Sequence, residues 1–184
     1  PGRARPGSTG QVVPGYEAMV VDDDGRPMPA GEIGNLRVKG DSTMAYYWNQ
    51  HEKTKDALLG HWIQTGDKYY QDADGYFWYC GRGDDMLKVG GIWVSPVEVE
   101  NTLIAHPAVL ETAVVGHADT DELIKPKAFV VLKEGHSASP ALEADLKTFV
   151  KDKIAPYKYP RWIEFVTELP KTATGKIQRF KLRQ

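Results

Sequence analysis

The chain has a single cysteine, Cys80, among its 184 residues, so no disulfide can form within it. A lone cysteine fits a reducing compartment, and we therefore expect a cytoplasmic protein. No apolar run reaches the roughly 20 residues that a membrane-spanning helix requires, and the first residues lack the apolar segment of a secretory signal. We expect no membrane partner.

An excess of charge of either sign is also missing. Lys and Arg number 23, Asp and Glu number 25, and the formal net charge is −2. Because nucleic acids attract proteins largely through a positive field, this balance argues against a nucleic-acid partner. Hydrophobic residues make up 41% of the chain and charged residues 26%, which is typical of a globular protein.

The first ten residues lack an initiator Met and a complete phosphate-binding loop. The chain opens in a stretch rich in Pro, Gly and Arg, Pro1–Pro6, and we expect it to be a piece of a longer protein. The next segment, Gly7–Gly10, does not have the Gly-Lys-Ser/Thr ending of a nucleotide loop. Its position before an apolar stretch favours a turn.

Residues 11 to 80 carry the pattern of β-strands. The apolar stretches Gln11–Val21 and Leu36–Lys39 predict two strands, and Asp22–Gly25 between them is typical of a turn. A short helix is predicted over His51–Leu59. This part of the chain is therefore expected to be β-rich.

Aromatic residues on both sides of Asp74-Gly75 predict a hairpin. Tyr69-Tyr70 would belong to its first strand and Tyr76–Tyr79 to its second. We expect most of these rings to pack in the core or across strands rather than to form a ligand cage.

After Asp85 the pattern changes to mixed helix and strand. Met86–Val94 predicts a short hairpin turned by Gly90-Gly91. The sequence Ser95–Glu98 then predicts a helix start, with Ser at the N-cap, Pro at the first position and Glu completing a capping box. This helix should end near His106, because the proline that follows cannot continue it.

A strand–strand–helix–strand order follows in the second half. Ser139-Pro140 predicts the start of its helix by the same capping logic. The fold class is therefore α+β, a β-rich subdomain followed by a small α+β domain, with the boundary at Arg82–Asp85. The predicted elements are strands over about 113–116, 127–133 and 162–166, and a helix over about 141–154.

Two polar segments near the boundary could bind a nucleotide. In Thr65-Gly66-Asp67 the carboxylate could accept hydrogen bonds from a ribose diol, although an Asp beside a Gly is more often only part of a turn. In Gly81–Asp85, Arg82 could bind phosphate or ribose, and the segment could be a hinge. The alternative for this second segment is a solvated linker whose charges pair with one another.

A third segment, Thr172–Lys176, presents a lysine near the end of the chain. Gly175 allows close approach to a ligand, and Lys176 is a compact cation suited to a phosphate or a carboxylate. An exposed basic loop before a basic C-terminal helix is the competing interpretation.

In this order and spacing, the segments resemble the adenylate-forming acyl-CoA synthetases, a superfamily that also contains luciferases and peptide-synthetase adenylation domains. Lys88–Glu100 looks most like the benzoate–CoA ligases. Many relatives have Arg near Trp93, so no role of that arginine is carried over. The matching segments are Arg5–Gly10, Val13–Gly15, Thr65–Asp67, Gly81–Gly91, Pro96–Glu100 and Pro170–Lys176.

The resemblance implies an ATP-dependent, AMP-forming acid–CoA ligase, acting on benzoate or a related aromatic carboxylic acid. ATP and the acid would give an acyl-adenylate and pyrophosphate, and the thiol of CoA would then displace AMP. ATP and CoA would be substrates, with Mg²⁺ accompanying ATP and no metal held by the chain itself. Two alternatives are an adenylation enzyme that loads a carrier-protein thiol and a non-catalytic interaction or regulatory module.

The resemblance also implies roles for matching residues. Asp67 would hold the ribose hydroxyls, and Arg82 would meet ribose or phosphate. Lys176 would be catalytic, reaching the reacting carboxylate and the α-phosphate during adenylation. Gly90 and Gly91 would line the tunnel for the pantetheine arm of CoA.

Asp84 would be the hinge about which a mobile domain rotates between the two half-reactions. Residues 1–83 would be the last, β-rich subdomain of a large N-terminal AMP-binding domain, and residues 84–184 would be the mobile C-terminal domain. The phosphate loop and the acid pocket of the family lie upstream of this chain. We therefore expect the missing N-terminal portion to be its partner and the chain alone to be inactive.

Overall fold

A computed structural model describes residues 4–183. Pro1, Gly2 and Arg3 belong to the opening stretch from which we expect a longer protein, and they lie outside the described residues, as does Gln184. The chain divides into two compact units between Asp84 and Asp85.

The first unit is built on a five-stranded antiparallel sheet in the order β1-β2-β4-β3, with β5 also paired to β4. A short helix, α1 (His51–Ala57), precedes β3. The strands are β1 (Tyr16–Val21), β2 (Gly34–Gly40), β3 (Leu58–Leu59), β4 (Trp62–Gln71) and β5 (Phe77–Arg82).

The predicted aromatic hairpin is confirmed as β4 and β5. Tyr70 and Trp78 stack across its strands with ring centroids 6.0 Å apart. Tyr69 and Tyr79 form an edge-to-face pair with centroids 5.4 Å apart. Cross-strand packing therefore accounts for these four rings. Trp48, which lies outside this hairpin, is 80% exposed.

Several boundaries in the first unit differ from the prediction, and two of them have an identifiable cause. Strand β1 begins at Tyr16 rather than Gln11, because Pro14 has no N–H to donate and Gly15, at φ +86°, turns the backbone. The helix predicted to Leu59 ends at Ala57, since the next two residues pair with β4.

The second unit combines a three-stranded sheet, a hairpin and two α-helices. In the sheet, β8 and β9 are antiparallel and β9 and β10 are parallel. The elements are β6 (Leu87–Val89), β7 (Ile92–Val94), α2 (Pro96–Ile104), β8 (Val109–Ala118), β9 (Ile124–Leu132), α3 (Pro140–Lys153) and β10 (Trp162–Phe165), with 3-10 helices at Pro156–Lys158 and Arg179–Leu182.

Both α-helices of the second unit begin where the sequence predicts. The Ser95 hydroxyl accepts a hydrogen bond from the N–H of Glu98 at 3.1 Å, and the Ser139 hydroxyl accepts one from Leu142 at 3.1 Å. Each cap satisfies a backbone donor that the first helical turn leaves open. No helix in residues 4–183 is long and apolar enough to cross a membrane.

The sheet of the second unit is buried on both faces. Side chains such as Val114 and Val130 pack with α2 and α3 in one apolar cluster. The alternate residues, including Phe129, pack with Leu169 and Ile177 of the C-terminal segment in a second cluster. The segment that carries Lys176 is therefore anchored on the sheet face opposite the α-helices.

Candidate functional site

A bulge in β4 shapes the first candidate segment. Leu36 of β2 stands opposite all three residues Thr65–Asp67 of β4, so the strand bends there. Gly66 has φ +78°, which permits the bend. The Thr65 hydroxyl donates to the Leu36 carbonyl at 3.2 Å and accepts from the Asp67 N–H at 3.1 Å. Bulges often redirect a side chain beside a binding site.

The bulge brings Asp67 opposite Arg82 of β5. Nη1 of Arg82 donates to Oδ1 of Asp67 at 3.2 Å and to the Thr65 carbonyl at 3.3 Å. The Asp67 side chain is 28% exposed and that of Arg82 53%. A carboxylate that can accept from hydroxyls and a guanidinium that can donate to phosphate thus lie side by side, within reach of a ligand.

The predicted hinge lies at the junction of the two units. Asp84 is exposed, and its carboxylate lies 3.8 Å from Nε of Arg82 in the first unit. The next residue, Asp85, pairs instead with Arg179 and Arg183 of the second unit. The two neighbouring acids are therefore held within different units, and the chain passes from one unit to the other between them.

Lys176 lies on a tight, exposed loop of the second unit. The Thr172 N–H donates to the Lys176 carbonyl at 2.8 Å, and the Lys176 N–H donates to the Thr172 hydroxyl at 3.1 Å. Gly175 has φ +82°, a conformation that favours glycine. Lys171, by contrast, donates from Nζ to Glu111 at 2.7 Å. The loop thus presents Lys176 on a hydrogen-bonded backbone.

Gly90 and Gly91 form the turn between β6 and β7. Their φ angles are +56° and +85°, and a Cβ on either residue would meet no atom within 4 Å. The neighbouring Ile92 and Trp93 are exposed apolar residues at this tip. Lys88 lies over the Trp93 ring at 5.7 Å from its centroid.

A partly buried ion-pair network in the second unit was not predicted from the sequence. Nη2 of Arg179 donates to Glu100 at 2.7 Å and Nη1 donates to Asp85 at 3.3 Å, and Arg183 also pairs with Asp85. Glu100 further accepts from the Val114 N–H at 2.8 Å. Arg179 is three residues beyond Lys176, but its acidic partners are 79 and 94 positions away, so no local motif indicates them.

The charged cluster at the far end of the β4–β5 hairpin shifts a pKa. Burial raises the pKa of Asp72, but hydrogen bonds from Trp78 and from the N–H groups of Tyr76 and Asp74, together with the charge of Arg5, outweigh it. The net pKa of Asp72 lies below its ordinary value. The hydrogen bond to Asp74 is the main cause of a raised pKa for Arg5.

The structure thus brings Asp67, Arg82 and Asp84 together in the first unit, whereas Gly90, Gly91 and Lys176 belong to the second. Asp67 and Arg82 suit a ligand that carries hydroxyl and phosphate groups. In residues 4–183 no group of three or more His, Cys, Asp or Glu side chains is arranged to hold a metal ion.

Two family patterns match the chain. The pattern described as AMP-binding enzyme covers residues 1–48, and that described as AMP-binding enzyme C-terminal domain covers residues 98–176. Benzoate–CoA ligase of Thauera aromatica is 60% identical over 96% of this chain and 34% of its own length. The 4-hydroxybenzoate–CoA/benzoate–CoA ligase of Rhodopseudomonas palustris is 51% identical over 97% of this chain and 33% of its own length.

The fold is also similar to that of a solved ligase. The crystal structure of the anthranilate CoA ligase AuaEII in complex with anthranoyl-AMP aligns with a TM-score of 0.94 at 60% identity, over 99% of this chain and 35% of that one. The chain spans about a third of the length of the curated relatives that it matches. Residues 1–48 and 98–176 of this chain thus belong to AMP-binding family domains.

Proposed function

We propose that this chain is the C-terminal portion of an ATP-dependent, AMP-forming acid–CoA ligase that acts on benzoate or a related aromatic acid. The observation that carries the proposal is the exposed Lys176 loop, in a chain similar over nearly its whole length to benzoate–CoA ligases. A cation on such a loop suits a reaction in which negative charge develops on a phosphoryl group.

In the proposed first half-reaction, an oxygen of the acid attacks the α-phosphorus of ATP. The bond from that phosphorus to the oxygen bridging to the β-phosphate breaks, and pyrophosphate leaves with the electron pair. Lys176 stabilises the charge on the α-phosphoryl group and orients the carboxylate. Asp67 accepts hydrogen bonds from the ribose hydroxyls, Arg82 binds ribose or phosphate, and Mg²⁺ enters with ATP.

In the proposed second half-reaction, the sulfur of CoA attacks the acyl carbon and AMP leaves, while the thiol proton is lost. One site must hold ATP first and then admit a thiol, which requires two arrangements of the domains. Rotation about Asp84 supplies them and withdraws Lys176. Gly90 and Gly91 then line the path of the pantetheine arm, where glycine leaves the most room.

We propose the preceding portion of the same protein as the partner of this chain. The share of the relatives' length that the chain spans supports this, because a phosphate loop and an acid pocket need further residues. Accordingly, the 184-residue chain alone should not turn over benzoate, ATP and CoA. A cytoplasmic location also stays a prediction.

Lys176→Ala in the full-length protein tests the proposal. We expect pyrophosphate exchange with ATP and benzoate to fall roughly 10²- to 10³-fold, the usual effect of losing one donor to a developing charge. Thioester formation from supplied benzoyl-AMP should be largely retained, because Lys176 serves only the first half-reaction.

Lys171→Ala is the matched control for Lys176→Ala. It removes a lysine from the same loop whose ammonium is paired with Glu111, so both half-reactions should persist. Equal losses in the two half-reactions of Lys176→Ala, or no loss in either, would overturn the assigned role. Turnover with a carrier-protein thiol but not with CoA would replace CoA as the acceptor.

A further inference from the structure

We propose that the ion-pair network of Asp85, Arg179, Glu100 and Arg183 positions Lys176, by tying the backbone that leaves the inter-unit junction to the backbone that carries this lysine. The inference rests on the proposed function, because it assigns Arg179 a positioning role in adenylation. It differs from that function in being about residues that touch no substrate.

The low exposure and the multiple hydrogen bonds of the network restrict the motion of its side chains. The Glu100 side chain is 8% exposed, and those of Asp85 and Arg179 are 16% and 20% exposed. Arg179 reaches both carboxylates with different nitrogens, and Glu100 also accepts from the Val114 N–H. Ions withdrawn from water to this degree persist only when each is paired and hydrogen-bonded. Removing one partner therefore leaves an unpaired, partly buried charge, and the remaining side chains should rearrange to compensate for it.

The backbone after Lys176 is held on both sides of Arg179. Ile177 and Leu182 pack against the apolar sheet face that includes Leu169. The Gln178 N–H donates to the Pro170 carbonyl at 2.8 Å. The loop before Lys176 is exposed, and its own residues hydrogen-bond one another. It is fixed to the same sheet face upstream by Leu169 and downstream by Ile177, so the segment that contains Arg179 extends one of the two anchors that set its direction.

The same network holds the start of the second unit. Asp85 is the first residue after the junction and directly follows the proposed hinge residue, Asp84. Arg179 and Arg183 both pair with it. When the second unit rotates about Asp84, the ion pairs between Asp85 and Arg179 therefore make the Lys176 loop move together with the start of the unit. A misplacement of about 1 Å can cost about 10²-fold in rate, so such stiffness matters for catalysis.

The test uses Arg179→Ala in the full-length protein. We expect kcat of the pyrophosphate exchange to fall roughly 10- to 100-fold, by misplacement of the lysine, with KM for ATP unchanged. Thioester formation from supplied benzoyl-AMP should be retained. Arg179→Lys should recover part of the exchange activity, because an ammonium keeps the charge but lacks the two-sided reach of the guanidinium.

Lys158→Ala is the matched control. It breaks an ion pair of 2.7 Å with Glu98. Glu98 lies on helix α2, as Glu100 does, but it is not part of the network. We expect it to lower Tm without changing the ratio of the two half-reactions. If Arg179→Ala lowers both half-reactions equally, or changes only Tm as the control does, the positioning role is overturned.

Asp85→Asn keeps the test decisive should Arg179→Ala fail to fold. It removes one charge but retains hydrogen-bonding atoms. We expect a smaller fall in kcat of the pyrophosphate exchange and no change in thioester formation. An unchanged ratio between the rates of the two half-reactions would count against the proposal. Lys176→Ala, measured in parallel, distinguishes a failure of the proposed function from a failure of the positioning role. A normal exchange rate in Lys176→Ala defeats the proposed function itself, whereas a loss there with normal Arg179 variants defeats only the positioning role.

Discussion

Arg82 lies directly opposite Asp67 in the β4–β5 ladder, with Nη1 of the guanidinium 3.2 Å from Oδ1 of the carboxylate. The same guanidinium also donates to the Thr65 carbonyl, which fixes its plane. The pairing therefore holds the Asp67 side chain in one orientation before a ligand arrives, and such preorganisation lowers the entropy that binding must remove.

Asp67→Asn in the full-length protein should weaken ATP binding. The amide keeps the shape but loses the charge that strengthens hydrogen bonds from ribose hydroxyls, and it weakens the hold of Arg82. A hydrogen bond to a charged group contributes about 1.5–3 kcal/mol, so we expect KM for ATP to rise roughly 10- to 100-fold. Steady-state kinetics with ATP varied would measure this.

Asp24→Asn is the control for the Asp67 variant. It breaks an exposed ion pair with Arg26 at 2.9 Å in a turn of the same unit, and it should leave KM for ATP unchanged. If both variants behave alike, Asp67 has no role in the nucleotide site.

Asp84→Pro should retain the first half-reaction and block the second, which is the reverse of the effect expected for Lys176→Ala. Proline fixes φ at its own position and restricts the residue before it, so rotation at the junction is lost. Pyrophosphate release should continue while formation of the CoA thioester stops. Asp84→Ala removes the ion pair with Arg82 but leaves the torsions free, and it should retain overall turnover. Unaltered turnover in the proline variant would remove the hinge role.

Local sequence predicted those parts of the fold that depend on neighbouring residues. The helix starts at Ser95 and Ser139 are correct, because each cap hydrogen-bonds an N–H three residues away. The end of α1 was misplaced because Leu58 pairs with Ile63 of β4, a preference that the helical pattern does not contain. The C-terminal basic segment forms the 3-10 helix Arg179–Leu182, and Arg179 and Arg183 both pair with Asp85, a partner that the local pattern does not indicate.

In the candidate site, too, features set by neighbouring residues could be predicted and features set by distant contacts could not. The segments that contain Asp67, Arg82 and Lys176 could be read from the sequence, because short motifs specify them. The register that puts Asp67 opposite Arg82 could not, since it depends on bulges in two neighbouring ladders. Nor could the link between Arg179 and Glu100, which joins residues 79 positions apart through the packing of the sheet.

The lowered pKa of Asp72 predicts an acid-dependent loss of stability. Because the folded-state pKa lies below the ordinary value of 3.8, ionised Asp72 stabilises the fold above that value, and the contribution is lost as pH falls through the lower, folded-state pKa. Asp72→Asn should therefore lower Tm at neutral pH and reduce the fall of Tm below pH 3.8. Thermal unfolding followed from pH 7 downward measures both. An identical pH profile for the variant and the parent would contradict the assignment.

Gly91→Ala should impair CoA binding more than stability. Gly91 and Gly135 both have φ +85°, and a Cβ on either would meet no atom within 4 Å, so alanine strains the two turns alike. Only Gly91 belongs to the proposed pantetheine path, and there we expect KM for CoA to rise about tenfold, equivalent to about 1.4 kcal/mol. Pyrophosphate exchange should be unaffected in both variants. Similar KM values for CoA in Gly91→Ala and Gly135→Ala, with equal losses of Tm, would reduce Gly91 to a turn residue.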